Sequence, residues 1–126
     1  MPCVLIVEDD PDVREFMDTL LEAYGYDTMT AENGAVALDV MRHRKPCLVL
    51  LDLMMPVMNG WEFRKRQLAD PALKDVPVIC VTAIFDQAAV AEQLQVRCLT
   101  KPVDFPAILG EVARACMRTE RRNYGA

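Results

Sequence analysis

Histidine is almost absent from this chain: His43 is the only one. The five cysteines form no Cys-x-x-Cys pair. No nitrogen- and sulfur-rich metal set is therefore in view, and the cysteines read as reduced core thiols rather than disulfides or a zinc site. Cys3, Cys47 and Cys80 lie inside apolar runs, which fits that reading. Long hydrophobic runs are missing too. Nothing approaches the ~20 apolar residues of a membrane span, and no basic segment precedes an apolar one near Met1, so neither a membrane segment nor a signal peptide is expected. The chain reads as cytoplasmic, with no membrane partner. Positive charge is in short supply: Lys and Arg number 14 against 19 Asp and Glu, a net charge of −5. That balance argues against direct nucleic-acid binding.

What is present is a chain of 126 residues, 52% hydrophobic, which is one domain by length and large enough for a real core. Residues 1–120 read as the domain and 121–126 as a disordered tail. Three apolar runs, 3–7, 47–51 and 78–81, lack period-2 alternation, as strands covered on both faces do. Weaker strands fit 27–30 and 96–100. Between them lie helical patterns. Asp10 caps the first, with Pro11 in its first turn and a stripe of Val13, Phe16, Met17, Leu20, Leu21 and Tyr24 before Gly25. Asn33 caps the second, 60–69 is a third with a poor stripe, 86–94 a fourth, and Asp104 caps a fifth carrying Phe105, Ile108, Leu109, Val112 and Cys116. Five alternations of strand and helix predict an α/β fold, a five-stranded parallel sheet covered on both faces.

The chemistry collects at the strand ends. Strand one runs into Glu8-Asp9-Asp10, strand three into Asp52, strand four into Thr82-Ala83 and strand five into Lys101-Pro102. A parallel sheet puts these ends on one edge, where ligands of such sheets bind. Two carboxylates about 4 Å apart repel by about 4 kcal/mol at an effective dielectric near 20, so the acids call for a cation. Oxygen donors alone point to Mg²⁺, with Mn²⁺ or Ca²⁺ as alternatives. A carboxylate beside such an ion can act as nucleophile toward a phosphoryl group, with Lys101 as a second positive charge and the Thr82 hydroxyl as donor. Asp10 reads as a helix cap rather than a ligand. His43, with Arg42, Arg44 and Lys45, reads as a cation at a helix C-terminus rather than a catalyst. Arg64-Lys65-Arg66 reads as a solvated face, a docking patch being the minor alternative. Most of the eight methionines read as core filler, but Met54, Met55 and Met58 flank Asp52.

These residues resemble the receiver domains of bacterial two-component response regulators over nearly the whole chain. The acidic pair Glu8-Asp9 follows strand one, and Asp52 to Gly60 matches the family pattern D-x-x-M-P-x-x-[DN]-G. Thr82-Ala83 and Lys101-Pro102 match its two remaining markers. The resemblance implies a doubly wound, flavodoxin-like (βα)5 fold with strand order 2-1-3-4-5. It implies Asp52 as phosphoacceptor, Asp9 and Glu8 as Mg²⁺ ligands together with Asp52 and the Met54 backbone carbonyl, Lys101 as partner of Asp52 or of the phosphoryl group, and Thr82 as the switch hydroxyl. The peptide before Pro102 is expected to be cis. The donor would be a phosphohistidine on a sensor histidine kinase or phosphotransfer protein, and the output contact with a downstream protein target, the chain itself being a monomer or weak dimer. Two departures stand out. Cys98 occupies the place of the usual Tyr or Phe three residues before the Lys, and the stretch from Thr82 to Lys101 is shorter than usual.

Three rivals are weighed. An Mg²⁺-dependent phosphatase with an aspartate nucleophile would carry D-x-D after strand one, where this chain has Glu8-Asp9-Asp10. A flavodoxin would have a Ser/Thr/Gly-rich phosphate loop at that acidic place. The third is a receiver domain cut from a longer regulator. Nothing after Gly125 resembles an output domain, so output within this chain would be by protein contact.

Overall fold

The computed structural model describes residues 3–83, 87–102 and 104–123, with side chains throughout except at 87 and 118–123. Its elements alternate as β1 Cys3–Val7, α1 Pro11–Ala23, β2 Asp27–Ala31, α2 Gly34–His43, β3 Leu48–Leu51, α3 Gly60–Ala69, β4 Val78–Thr82, α4 Gln87–Leu94, β5 Arg97–Thr100 and α5 Phe105–Asn123. All strand pairs are parallel, in the order β2-β1-β3-β4-β5. Strands β1, β3 and β4, the continuous apolar runs, are buried along their length, and the two edge strands are half-exposed. That is why only the central strands were plain from composition.

The sheet separates two apolar layers. On one face, Leu5, Val7, Val49 and Leu51 meet Ala37, Leu38 and Met41 of α2, Phe63 of α3 and Val90 and Leu94 of α4. On the other, Val4, Ile6, Leu48, Leu50, Ile79 and Val81 meet Met17 and Leu21 of α1 and Ile108, Val112 and Ala115 of α5. The caps form as the sequence predicts. Asp10 accepts from the amides of Asp12 and Val13, with Pro11 opening α1. Asn33 accepts from Val36 and Asp104 from Ala107, and Asn59, which was not among the expected caps, accepts from Glu62. Each satisfies an amide that the helix cannot. Helix α1 stops at Ala23, and Gly25, just past its Tyr24 cap, has a φ of 90° that suits a residue without a side chain.

Helix α3 lacks an apolar stripe because part of its buried face is polar. Gln67 is fully buried, and its amide donates to the carbonyls of Leu73 and Val76. A satisfied amide can occupy a core position.

Four expectations need correction. Cys47 and Cys116 are not reduced thiols: they form a disulfide, with Cα atoms 5.0 Å apart, tying α5 to the chain entering β3. Sixty-nine residues separate them, a pairing that only the packing of α5 on the sheet creates. The α1 stripe is narrower than expected, since Phe16 is 57% and Tyr24 63% exposed. Phe16 lies instead against Phe105, ring centroids 4.8 Å apart. The tail boundary expected at 121 falls inside α5, which runs to Asn123 through Arg residues of good helix propensity. The run Arg64-Lys65-Arg66 is not one solvated face. Lys65 and Arg66 are exposed, whereas Arg64 is half-buried against α4. The expected fourth helix began at Asp86, which lies outside the described residues.

Candidate functional site

Strand order reverses between β1 and β3, so the chains leaving these strands diverge to opposite faces and open a crevice beyond their carboxyl ends. Backbone bonds set what enters it. The Asp52 amide donates to the Val7 carbonyl at 3.0 Å, and the Glu8 amide to Ala31 at 3.0 Å. The Lys101 amide donates to Thr82 at 2.9 Å, joining the ends of β4 and β5. The Lys101–Pro102 peptide is cis, as expected.

The crevice holds Glu8, Asp9 and Asp52, each with a carboxylate oxygen within 4.8 Å of the others. Glu8 is 2% exposed and Asp52 7%, whereas Asp9 is exposed. Lys101 Nζ lies 2.6 Å from Glu8 Oε1 and 3.4 Å from Asp52 Oδ2. The Leu53 amide donates to Asp52 Oδ1 at 2.8 Å, which fixes the carboxylate and leaves Oδ2 toward Lys101. Two of the three acids, Glu8 and Asp52, share one ammonium. Burial, then the neighbouring Asp52, raises the Glu8 pKa against the opposing pull of Lys101. Burial works to lower the Lys101 pKa, but the Glu8 hydrogen bond and the charges of Asp52 and Glu8 outweigh it, and the net shift is upward. The Glu8 shift thus comes first from burial and then from Asp52, and the Lys101 shift from its two acidic neighbours.

An oxygen-only cluster with a net negative charge fits a hard divalent cation, and Glu8, Asp9 and Asp52 form a candidate metal site. Thr82 ends β4 as a buried side chain, 1% exposed, in register with Thr100 next to Lys101. Met54 is 64% exposed beside the crevice. Asp10 serves as a cap, and His43 sits in the last turn of α2 with Nδ1 2.8 Å from the Asp39 carbonyl, as expected of both. Cys98 faces Cys80 across β4 and β5, both on the α4 side of the sheet.

Nothing in the sequence pattern points to Arg14. Its guanidinium reaches back from α1 to the Glu8 carbonyl at 2.8 Å and holds the acidic loop. No local motif encodes that contact across six residues. Gly60 was visible only as part of the signature. Its structural reason is close approach: a Cβ there would lie 2.5 Å from Leu53 Cδ2 and 2.8 Å from the Asp52 carbonyl. Any side chain would push α3 off the end of β3.

The family model of the response regulator receiver domain matches residues 4–113. The chain belongs to the response regulator receiver family. Relatives agree. The polar-differentiation response regulator DivK of Brucella anthropi is 35% identical over 109 residues, 84% of this chain and 89% of that protein. The DNA-binding master regulator RpaA of Synechocystis is 33% identical over 96% of this chain, and the phosphate regulon regulator PhoB of Pseudomonas aeruginosa 34% over 92%. The receiver domain spans about half the length of the latter two, 52% of each. Among solved structures, the receiver domain of a signal transduction histidine kinase from Syntrophus aciditrophicus superposes with a TM-score of 0.85 at 30% identity, covering 96% of this chain and 94% of that one. The response regulator TrrA of Thermotoga maritima, solved in complex with Mg²⁺ and BeF, gives 0.81 at 28% identity, covering 91% and 99%. The five-stranded, flavodoxin-like receiver fold is thereby established, and among the described residues no helix is long and apolar enough to cross a membrane.

Proposed function

We propose that this receiver domain is a phosphoacceptor switch in which Asp52 takes a phosphoryl group from a phosphohistidine donor. The observation that carries the reading is the convergence of Glu8, Asp9, Asp52 and Lys101 in one crevice. In the transfer, an Asp52 oxygen bonds to phosphorus as the phosphorus–nitrogen bond breaks. The electron pair goes to the donor imidazole, which takes a proton from solvent. Leu53 holds Oδ1 and so orients the nucleophile. Lys101 offers positive charge to the arriving phosphoryl oxygens, and Thr82 a hydroxyl donor at the end of β4. Glu8, Asp9, Asp52 and the Met54 carbonyl would hold Mg²⁺, or Mn²⁺, which neutralises phosphoryl charge when bound. Partners on this reading are a sensor histidine kinase or phosphotransfer protein upstream and a protein target downstream. Cys98 in place of an aromatic means that switching does not pass through a ring rotating behind Thr82.

A second reading, favoured by the doubled length of RpaA and PhoB, makes the chain the receiver part of a longer regulator. The acceptor chemistry is the same in both.

To test the reading, the protein is incubated with acetyl phosphate or phosphoramidate and Mg²⁺, and its intact mass measured. The expected result is one added phosphoryl group in the wild type and none in Asp52→Asn. Persistence of that mass in the variant would refute Asp52 as acceptor.

A further inference from the structure

At the opposite edge of the sheet, below the amino ends of β4 and β5, lies a cleft of about 430 Å³ that plays no part in the acceptor site. Four cations line it: Arg64 from α3, Lys74 from the loop after α3, Arg97 from β5 and Arg114 from α5. They come from four separate segments, so their meeting is not the side effect of one charged helix face. The acids in the cleft are Asp75 and Glu111. Glu111 is only 8% exposed and is shared by Arg97, at 2.8 Å, and Arg114, at 2.5 Å. Two cations on one carboxylate leave a surplus.

Arg64 adds to it. Its Nε donates to the Leu94 carbonyl at 3.0 Å and its Nη1 to Gln67 Oε1 at 2.8 Å, both neutral acceptors. Among the described residues no carboxylate pairs with Arg64 or with Lys74. Burial alone pulls the Arg64 pKa down, the mark of a cation drawn from water without a compensating charge. Counting four cations against two acids, the cleft is +2 in a chain whose net charge is −5. Its floor is apolar where Val76, Val78 and Val96 close the strand ends. Charged rim, apolar floor and volume together suit a ligand with an anionic end and an organic body.

We propose that this cleft binds a small organic dianion, its phosphate-monoester or dicarboxylate end against Lys74, Arg97 and Arg114 and its body over the amino ends of β4 and β5. Arg64 sets the positive potential from beneath. The same two strands carry Thr82 and Lys101 at their other ends, so the dianion and the acceptor crevice occupy opposite ends of one pair of strands.

The test is a chemical-shift titration of the full chain without Mg²⁺, using adenosine monophosphate, succinate and inorganic phosphate, with adenosine as the uncharged control. Saturable shifts are expected at residues 94–97 and 111–115 with adenosine monophosphate or succinate, weakening as salt screens the charges. Which of the two binds distinguishes a phosphate ester from a dicarboxylate. Combining Lys74→Gln with Arg114→Gln should weaken binding at least about tenfold, a loss expected of two charge contacts. Arg97 stays on Glu111 in that variant, and Lys74→Glu alone, at an exposed residue, provides a second variant with little risk to folding. Three results would overturn the proposal: no saturable shift in those segments at concentrations about ten times above a millimolar Kd, equal binding by folded variants, or adenosine binding as tightly as its monophosphate.

Discussion

The Gly34 amide donates to the Met58 carbonyl at 2.9 Å, and the Met58 side chain lies against the same glycine, where a Cβ would meet Met58 Cγ at 2.9 Å. This contact clamps the loop after β3 onto the start of α2. Between Pro56 and Met58 the chain makes a three-residue turn, Met58 N–H to Pro56 C=O at 2.7 Å, with Val57 at φ 67°. Such a turn is strained, and most of all for a β-branched residue. Val57 is 86% exposed and gains no burial in return. Val57→Gly should therefore raise stability by about 1 kcal/mol, since a left-handed conformation costs an L-residue about 1–2 kcal/mol and glycine forfeits part of that as chain entropy. Urea melts with an unchanged slope would measure it. A destabilised variant would mean that the turn does not carry the strain.

Among the described residues, Lys101 is the one cation paired with the carboxylates of Glu8 and Asp52. Lys101→Met would leave two buried carboxylates facing each other. Breaking a buried pair in this way costs about 3–5 kcal/mol, and since Lys101 is 24% exposed the lower end is expected. Mg²⁺ should restore more stability to this variant than to the wild type, because it meets a larger uncompensated charge. Melts in EDTA and in Mg²⁺ test both points. Equal responses to Mg²⁺ would place the ion elsewhere.

The Cys47–Cys116 bridge closes a long loop, worth about 4 kcal/mol in the chain-entropy account. Purified without reductant, the protein should have an intact mass two hydrogens below that of the reduced chain. Cys116→Ser should lower its thermal midpoint toward that of the wild type in reductant. A wild-type midpoint unmoved by reductant would contradict the bridge.

The remaining thiols behave differently. Burial raises the pKa of Cys3, Cys80 and Cys98, and Cys98 adds to the shift at Cys80. A thiol whose native pKa exceeds its unfolded value stabilises the fold below the unfolded value, near about 8.5, and that contribution is lost as pH rises through the native one. Stability should therefore decline in the alkaline range. At pH 8 Cys98 should react with a disulfide reagent more slowly than a free thiol, and Cys3 and Cys80 only on unfolding. Rapid labelling of Cys98 would point instead to a redox-sensitive thiol.

On the proposed function, the aspartyl phosphate should be long-lived. Met54 lies beside the crevice with an exposed apolar side chain that cannot hold a water in line behind phosphorus. Ile84, two residues after Thr82, is equally unable to hold a water by its side chain and lies outside the described residues. Met54→Asn together with Ile84→Glu should speed decay once the donor is removed. An unchanged decay rate would show that water positioning at these residues does not set the lifetime.

Strands, caps and the convergence of Glu8, Asp9, Asp52 and Lys101 were legible because they depend on short-range pattern plus one topological rule. Continuous apolar runs specify a doubly covered parallel sheet, and a parallel sheet sends its carboxyl ends to one edge. What stayed hidden depends on distance in space alone. The Cys47–Cys116 bridge needs α5 laid across the sheet, and Arg14 needs the path of the loop before it. Arg64 read as solvent-facing because its neighbours Lys65 and Arg66 are, and only the packing of α3 on α4 turns it inward. The poor apolar stripe of 60–69 has the same kind of cause, since Gln67 is a core residue with both amide hydrogens satisfied.

Glu8 and Lys101 stand 93 positions apart, with Asp52 between them. During synthesis, at roughly 5–20 residues per second, Asp52 emerges some seconds before Lys101 is made. A nascent or prematurely terminated chain therefore carries the carboxylates without their ammonium and without the strand that holds it. Translation must run past Lys101 before the acidic crevice is assembled, so a fragment that stops soon after Asp52 is not a miniature of the domain.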